Sequence, residues 1–423
     1  MTYTPGVDDW FGQARLGLFV HWGIYSAAHR EPSWPMVGPS LALPKSRPVS
    51  VAEYYAAADT FAPRPDAARE WIELGASAGM TYAVMTTKHH DGWTLFPSDH
   101  SSFGVTETLG GRDLVAEYVD ACRAAGLRVG LYFSLPDWHH PDYPAWRDDM
   151  APYGFVNLAR STPEAWSRFR ADQEGQLRHL LTAYGTIDLL WFDGGWERSA
   201  DEWGSADLSA MIHELQPGIV LNDRLPGVTG YATPEQAVPE VGPGEPWETC
   251  LTMGESWGLV DDDDRKSATE LLLTMAEVAG RGGNLLLNVA PDGEGRLAAW
   301  QRERLEHVAR WMAVNGDSIS NTTAGLAAWQ FPGPTTRRAD RRVVYLICPM
   351  QPRDIVVLRG VPGRRIEQVR ALATGEELPF DLRIGALDRV FNPDPACAVV
   401  IDVSGAALEG PLPVLEVSFT GPV

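Results

Sequence analysis

Cysteine is scarce in this chain. Only four cysteines occur among 423 residues, and no two of them form a CxxC pair. Cys122 and Cys250 lie in apolar stretches, where a free buried thiol is the usual state. The common zinc and redox motifs are therefore excluded, and no H-E-x-x-H sequence is present. We accordingly expect neither a metal ion nor another cofactor.

Long apolar runs and an excess of basic residues are also missing. No window approaches the roughly 18 apolar residues that a membrane span needs, so we expect no contact with a membrane interior. The N-terminal sequence MTYTPGVDDWFGQ lacks a basic start followed by an apolar run, so we expect a cytoplasmic protein. The 56 acidic residues outnumber the 35 lysines and arginines, giving a formal net charge of -21. This charge repels polyphosphates, which argues against nucleic acid and anionic membranes as partners.

Short apolar runs alternate with amphipathic stretches in the first three quarters of the chain. The runs occupy residues 16–23, 82–90, 127–134, 187–195, 218–224, 246–252 and 283–293. Between them, Asp66 and Asp113 are predicted helix N-caps, and Ser267 with Glu270 forms a capping box. Strand–helix alternation of this kind predicts a parallel sheet. About seven or eight such units favour a (β/α)8, TIM-type barrel over residues 1–321.

The pattern changes in the last quarter of the chain. Short β-rich runs at 342–348, 354–360, 398–404 and 413–419 are separated by proline and glycine, with no long amphipathic helix between them. This pattern predicts an antiparallel β-sandwich domain over residues 322–423. Its polar residues form no recognisable constellation, so we expect the chemistry to lie in the barrel.

The apolar runs of the predicted barrel end in polar or ionisable residues. These are His21, His89, His90, Asp193, Asn222, Arg224, Glu248 and Asn288. In a (β/α) barrel the carboxyl ends of the strands converge on one mouth, so these residues are predicted to face one another. Asp193 is followed by Gly194 and Gly195, which leave room for a ligand beside a carboxylate that is costly to bury. The alternative is a structural aspartate that caps the next turn.

His89 and His90 are adjacent at the end of one predicted strand. Neighbouring strand residues point in opposite directions, so we expect that the two imidazoles do not chelate one metal ion. Hydrogen bonding to a polyhydroxylated substrate is the favoured role for them and for His21.

Seven motifs together resemble one enzyme family. FVHWG, KHHDGW, GLYFS, LLWFDG, NDR, PWE and GGNLLLNVAPDGEG occur in this order between residues 10 and 320. The ordered set resembles the glycoside hydrolase family 29 α-L-fucosidases, which combine a barrel with a C-terminal β-sandwich. The resemblance implies a retaining exo-α-L-fucosidase that acts in two steps on a fucosylated oligosaccharide or glycoconjugate. The alternatives are another glycosidase on the same barrel, such as a β-glycosidase or α-galactosidase-like enzyme, and a catalytically impaired carbohydrate-binding homologue.

The resemblance also implies the catalytic pair. Asp193 matches the nucleophile of the family, and we expect Arg224 and the nearby histidines to keep it ionised. Glu235 is the best match to the acid/base residue, which lies on a loop after the NDR motif. Glu240 and Glu248 are the alternatives, although Glu248 ends a strand and is better explained by a structural role.

The remaining pocket residues follow from the same motifs. The residues matched to sugar binding are His21, Trp34, His89, His90, Tyr132, Arg224 and Trp257. Phe133 is the alternative to Tyr132, and Phe19 with Trp257 is expected to contact the C6 methyl group of fucose. One position departs from the family, because Ser33 stands where a glutamate is usual before Trp34. Either Glu31 replaces that contact or the contact is missing.

Overall fold

A computed structural model describes residues 10–38, 43–144, 159–243, 246–408 and 410–423. Each of the predicted apolar runs contains one strand of a seven-stranded parallel sheet. The strands are β1 (Leu16–Val20), β2 (Tyr82–Lys88), β3 (Arg128–Ser134), β4 (Leu189–Asp193), β5 (Val220–Leu221), β6 (Glu248–Thr252) and β7 (Asn284–Val289). Their order across the sheet is β5-β4-β3-β2-β1-β7-β6, so every pair of adjacent strands is consecutive in the chain except β1 and β7. Apart from half-buried Arg128, every residue of these strands is buried, as expected for a parallel sheet covered on both faces.

Helices connect and cover these strands. They are α1 (Ile24–Ala27), α2 (Val51–Tyr55), α3 (Ala67–Ser77), α4 (Val105–Thr108), α5 (Leu114–Ala125), α6 (Pro163–Ala183), α7 (Ala200–Trp203), α8 (Ser205–Leu215), α9 (Ala268–Gly280) and α10 (Ala299–Asn315). The predicted caps of α5 and α9 are confirmed, because Asp113 accepts a hydrogen bond from the N–H of Ala116 and Ser267 forms the capping box with Glu270. Asp66 occupies the predicted N-cap position of α3, but it has a φ of 59° and its side chain makes no capping hydrogen bond.

An additional extended segment lies between the two edge strands of the parallel sheet. Tyr231 is paired with Asn222, immediately after β5, while Ala232 and Glu235 are paired with Trp247 and Cys250 of the β6 region. All three pairings are parallel. The segment 231–236 is therefore hydrogen-bonded to both edges of the sheet.

The C-terminal part consists of two antiparallel sheets and one short helix. The strands are β8 (Thr322–Ala324), β9 (Thr335–Arg338), β10 (Val343–Ile347), β11 (Ile355–Pro362), β12 (Ile366–Ala371), β13 (Phe380–Arg383), β14 (Ala396–Asp402) and β15 (Val414–Phe419), and the helix is α11 (Ala386–Phe391). One sheet has the order β12-β15-β10-β9-β8 and the other β11-β14-β13. Apolar side chains from both sheets form one buried cluster, to which β10 contributes Val344 and Leu346. The opposite face of β10, with Val343 and Tyr345, joins the larger core.

The expectation of buried free thiols at Cys122 and Cys250 is confirmed. All four cysteines are buried free thiols. Within the described residues, no helix has the length and apolarity required to cross a membrane.

Candidate active site

The predicted site residues meet at the carboxyl end of the parallel sheet. His21 follows β1, while His89 and His90 follow β2. Asp193 is the last residue of β4 and pairs in register with Ser134, two residues beyond Tyr132 on β3. The strand-end argument therefore brings these side chains to one place, as the sequence predicted.

Most of these residues line a cavity of about 640 Å³, called the pocket below, whereas His90 and Ser134 are not part of its lining. It is lined by Phe19, His21, Trp34, Leu43, His89, Tyr132, Trp191, Asp193, Trp196, Arg224, Glu235, Gln236 and Trp257. Phe19 lies among aromatic rings at its base, with ring centroids 5.2 Å from Trp191 and 5.8 Å from Trp257. Trp196, Glu235 and Gln236 are the exposed members, so they mark the mouth.

Asp193 is held by two hydrogen bonds at the base of the pocket. Its Oδ1 accepts from Nη1 of Arg224 at 3.0 Å, and its Oδ2 accepts from the hydroxyl of Tyr132 at 2.8 Å. Burial raises the pKa of Asp193, but the charge of Arg224, the neighbouring His90 and the two hydrogen bonds together lower this pKa by a larger amount. The net pKa lies below the ordinary value, so the carboxylate is ionised at neutral pH, as a carboxylate nucleophile must be.

Arg224 also binds the second carboxylate of the pocket. Its Nη2 donates to Oε2 of Glu235 at 2.7 Å, while its Nε donates to Thr233 at 3.1 Å. The guanidinium lies over the ring of Trp191, 4.4 Å from the centroid, which fixes its plane. One guanidinium thus holds Asp193 and Glu235 on adjacent nitrogens, with Asp193 buried and Glu235 41% exposed.

Glu235 is positioned by backbone pairing. Hydrogen bonds run from the N–H of Cys250 to Pro234 and from the N–H of Gln236 to the carbonyl of Cys250, on either side of Glu235. The sequence had indicated a loop able to fold over the mouth. The backbone here is instead anchored to β6, which fixes the side chain at the rim.

The two alternative acid residues lie outside the pocket. Glu248 is fully buried and accepts hydrogen bonds from Tyr82, from Nε1 of Trp191 at 3.0 Å and from Tyr231 at 3.2 Å. Burial raises its pKa to about 7. Glu240 is exposed and does not line the pocket. Of the three candidates, only Glu235 lines the pocket.

The partner of His90 fixes which ring nitrogen carries its proton. Ser134 donates its only hydroxyl proton to the carbonyl of Pro136 at 2.7 Å, because that carbonyl can only accept. The Oγ of Ser134 must then accept from Nδ1–H of His90, at 2.5 Å. Nε2 of His90 faces Oδ2 of Asp193 at 3.6 Å and has no hydrogen-bond partner among the described residues.

His21 is fixed by the same logic. The carbonyl of Trp257 accepts from Nδ2 of Asn288 at 2.9 Å, which turns the amide oxygen of Asn288 towards His21. Nδ1 of His21 therefore donates to that oxygen, at 2.7 Å, and Nε2 is left as an acceptor.

The histidines do not supply positive charge to Asp193. Burial lowers the pKa of His21 and of His90 to about 4, and it lowers the pKa of His89 well below its ordinary value. All three imidazoles are neutral at neutral pH. Arg224 is therefore the cation that keeps Asp193 ionised at neutral pH, and His90 lowers the pKa of Asp193 only where its own imidazole is protonated.

Comparison with known proteins agrees with this geometry. The sequence profile of the alpha-L-fucosidase family matches residues 4–317. The chain belongs to this family. Tissue alpha-L-fucosidase of Bos taurus is 32% identical over 350 residues, which cover 74% of this chain and 70% of the relative. The resemblance inferred from the ordered motifs is thus confirmed, and the chain is a glycoside hydrolase.

Solved structures extend the fucosidase similarity to the C-terminal part. Alpha-L-fucosidase isoenzyme 1 from Paenibacillus thiaminolyticus superposes with a TM-score of 0.83 at 33% identity, covering 97% of this chain and 98% of that chain. Thermotoga maritima alpha-fucosidase, solved in complex with a mechanism based inhibitor, superposes with a TM-score of 0.75 at 28% identity, covering 98% and 97%.

The departure from the family pattern at Ser33 has a structural explanation. Ser33 is buried and its Oγ lies 2.6 Å from Nδ1 of His89, so it orients the imidazole of this pocket histidine. Glu31 does not replace the usual glutamate, because it accepts hydrogen bonds from the backbone N–H groups of Trp257 and Gly258. Of the two alternatives, the structure therefore favours a missing carboxylate contact.

Four residues that line the fucosidase pocket were not assigned a site role from the sequence. They are Leu43, Trp191, Trp196 and Gln236. Trp191 precedes Asp193 by two residues, so alternation along β4 would have placed both side chains on the same face. Leu43, Trp196 and Gln236 lie outside the regular strands, where periodicity gives no signal. Phe133 forms a ring contact with Phe192, and of the two residues at that strand end Tyr132 is the one that lines the pocket.

Proposed function

We propose that this fucosidase removes terminal α-L-fucose from fucosylated glycans with retention of configuration. Asp193 attacks the anomeric carbon while Glu235 protonates the departing glycosidic oxygen, which forms a covalent fucosyl-enzyme and releases the leaving group. Glu235, now ionised, then removes a proton from water as the water oxygen attacks the anomeric carbon. This second step releases fucose and restores both carboxyl groups.

The observation that carries this proposal is the bridge made by Arg224. Retaining glycosidases need two carboxyl groups about 5–5.5 Å apart, one ionised and one able to give and take a proton. Arg224 holds Asp193 and Glu235 on adjacent nitrogens of one rigid guanidinium, at 3.0 and 2.7 Å. Such a short bridge supports a direct displacement, since the longer separation typical of inverting enzymes leaves room for a water molecule.

The lining of the pocket supports fucose as the bound sugar. His21 offers Nε2 as an acceptor for a sugar hydroxyl, and we assign hydroxyl binding also to His89 and His90. Phe19 and Trp257 form an apolar wall suited to the C6 methyl group, whose burial contributes roughly 0.8 kcal/mol.

Trp196 provides a surface for the leaving group. The nucleophile lies at the closed end of the pocket, so the leaving group must depart through the mouth. Trp196 is 42% exposed there, and its ring is nearly parallel to that of Trp34, with centroids 6.4 Å apart. An exposed indole face favours stacking on the C–H face of the next sugar or on an aryl group.

We further propose that the parallel sheet closes into an eight-stranded barrel, with segment 231–236 between β5 and β6. Its pairing with both edges supports this closure. The barrel would span residues 1–321 and a β-sandwich domain residues 322–423. The cytoplasmic location stays a prediction from the sequence.

Proton NMR during hydrolysis of an aryl α-L-fucoside tests the function. We expect α-L-fucose to appear first and to mutarotate later, because two inversions give net retention. Asp193→Asn serves as the control that lacks the nucleophile. Turnover of aryl β-glycosides or of an aryl α-galactoside in preference to the fucoside would favour another glycosidase. Fucose binding without turnover would indicate a carbohydrate-binding homologue.

A further inference from the structure

Two histidines and the nucleophile converge in a way that the sequence argument had excluded. Strand β2 ends at Lys88, so His89 and His90 lie beyond it and alternation no longer applies to them. One ring nitrogen of His89, one of His90 and one carboxylate oxygen of Asp193 all lie within 4.8 Å of one another. Three donors of this kind around one point are the first requirement of a metal site.

The second requirement is a free lone pair on each ligand. Because Ser134 receives the Nδ1 proton of His90, the buried Nε2 of that neutral ring presents a lone pair to Oδ2 of Asp193. Nε2 of His90 and Oδ2 of Asp193 lie 3.6 Å apart, which is too far for a direct hydrogen bond and leaves space for a cation between them.

The separation between the ligand atoms of His90 and Asp193 fits a small tetrahedral ion. Bonds of about 2.0–2.1 Å to nitrogen or oxygen, at tetrahedral angles, separate two ligand atoms by about 3.4 Å. The distance of 3.6 Å between Nε2 of His90 and Oδ2 of Asp193 is close to that value. Two imidazoles and one carboxylate suit Zn²⁺ or Co²⁺, whereas Mg²⁺ and Ca²⁺ prefer sets made only of oxygen.

We propose that His89, His90 and Asp193 bind one divalent transition-metal ion such as Zn²⁺, and that this ion inhibits the enzyme. The ion occupies the nucleophile and two residues assigned to the sugar, so it competes with substrate. Metal binding follows from the geometry alone, while competition with substrate rests on the proposed function.

Arg224 sets the strength of this site. Its guanidinium donates to the other oxygen of Asp193 at 3.0 Å, so it repels an ion bound at Oδ2. We therefore expect Arg224→Met to bind Zn²⁺ at least tenfold more tightly than the wild type. If Arg224 had only a structural role, its replacement would not be expected to increase the affinity for Zn²⁺.

Calorimetric titration of tag-free protein with ZnCl₂ at pH 7 tests the site, and visible absorption with CoCl₂ reports the ligand geometry. The expected result is one ion per chain, weakened at least tenfold in His90→Gln, in His89→Gln and in Asp193→Asn. L-fucose should weaken the apparent affinity. In the wild type, Zn²⁺ should raise the apparent KM for an aryl α-L-fucoside without changing kcat, and a chelator should reverse this effect.

The matched control is His140→Gln. Nε2 of His140 and Nδ1 of His100 both contact Asp172, at 3.1 and 3.2 Å, in a histidine–aspartate cluster outside the pocket. This variant should bind Zn²⁺ like the wild type. The proposal is overturned if no stoichiometric ion binds, or if binding survives His90→Gln and Asp193→Asn but is lost in His140→Gln. Loss of activity on chelation would overturn the inhibitory role. Because calorimetry needs no turnover, a chain inactive on fucosides would still report the metal site.

Discussion

Replacing Arg224 by methionine removes the cation shared by the two catalytic carboxylates. Methionine keeps much of the length and apolar bulk of the side chain but has neither the charge nor the hydrogen-bond donors. Among the described residues, Asp193 then keeps only the hydroxyl of Tyr132 as a donor, since His90 presents a lone pair to it. The ionised form of Asp193 should lose most of its stabilisation.

The size of the effect follows from charge, distance and burial. Two charges about 4 Å apart attract by about 4 kcal/mol at an effective dielectric constant of about 20. Asp193 is only 8% exposed, so water replaces little of this attraction. We expect the pKa of Asp193 to rise by about 1–3 units, in the range typical of losing a neighbouring cation.

The sign of the pH dependence follows directly. Asp193 must be ionised to attack, so a raised pKa moves the acidic limb of the kcat/KM profile to higher pH. Activity should therefore fall more at pH 5 than at pH 7. At pH 7, where Asp193 of the variant is mostly ionised, the lost electrostatic stabilisation of the transition state should still lower kcat/KM about 100- to 1000-fold.

The assay is the pH profile of kcat/KM on an aryl α-L-fucoside between pH 4 and pH 8. Arg198→Met is the matched control, because Arg198 is also buried and its guanidinium lies over the rings of Tyr143 and Trp166, 5.3 and 5.4 Å from their centroids. This control should leave the acidic limb in place. An Arg224→Met enzyme within tenfold of wild type, with an unmoved acidic limb, would refute the role given to Arg224.

Four further results are expected. Asp193→Gly should lower kcat by several orders of magnitude, and azide should restore turnover with a β-fucosyl azide as product. Activity of this variant within tenfold of wild type would exclude Asp193 as the nucleophile. Glu235→Ala should impair natural oligosaccharides far more than the first step on activated aryl fucosides, and equal losses on both would place the acid elsewhere. Trp196→Ala should lower kcat/KM on a fucosyl disaccharide but not on α-L-fucosyl fluoride, which has no leaving-group ring, whereas Trp196→Phe should retain most activity on both. Burial raises the pKa of Glu31 to about 8 and that of Glu248 to about 7, so the native state holds protons that the unfolded state releases. The thermal midpoint of unfolding should therefore decrease as the pH is raised from 6.5 to about 8. A midpoint that increases across this pH range would contradict these pKa shifts.

Periodicity in the sequence predicted the parallel sheet well because its strands are buried on both faces. In the sequence such strands are continuous apolar runs, and each of the seven predicted runs contains one strand of the parallel sheet. Segment 231–236 escaped prediction for the opposite reason. It contains Pro234 and only one large apolar residue, Tyr231, so it lacks any strand pattern. Its extended form comes from hydrogen bonds to β5 and β6 that the sequence does not display.

The site was predictable where a residue ends a strand, and less so where it does not. Asp193 ends β4 and His21 follows β1, so the topology of the sheet alone places both residues at the mouth. The geometry of His89 and His90 depends on where β2 stops, and a shift of one residue reverses which way a strand side chain points. The position of the proton on His90 depends on Ser134, which no motif argument connected with that histidine.

The loop before Trp34 shows how a site can change its chemistry while keeping its fold. Glu31 is buried and accepts from the N–H groups of Trp257 and Gly258, so it fixes the aromatic wall from behind without touching the pocket. Ser33 binds Nδ1 of His89, where a longer acidic side chain would project into the sugar site. The pocket therefore has Asp193 and Glu235 as its only carboxylates among the described lining residues. Under the proposed function, sugar recognition falls to neutral imidazoles and aromatic faces, and the charged groups are left to the reacting centre.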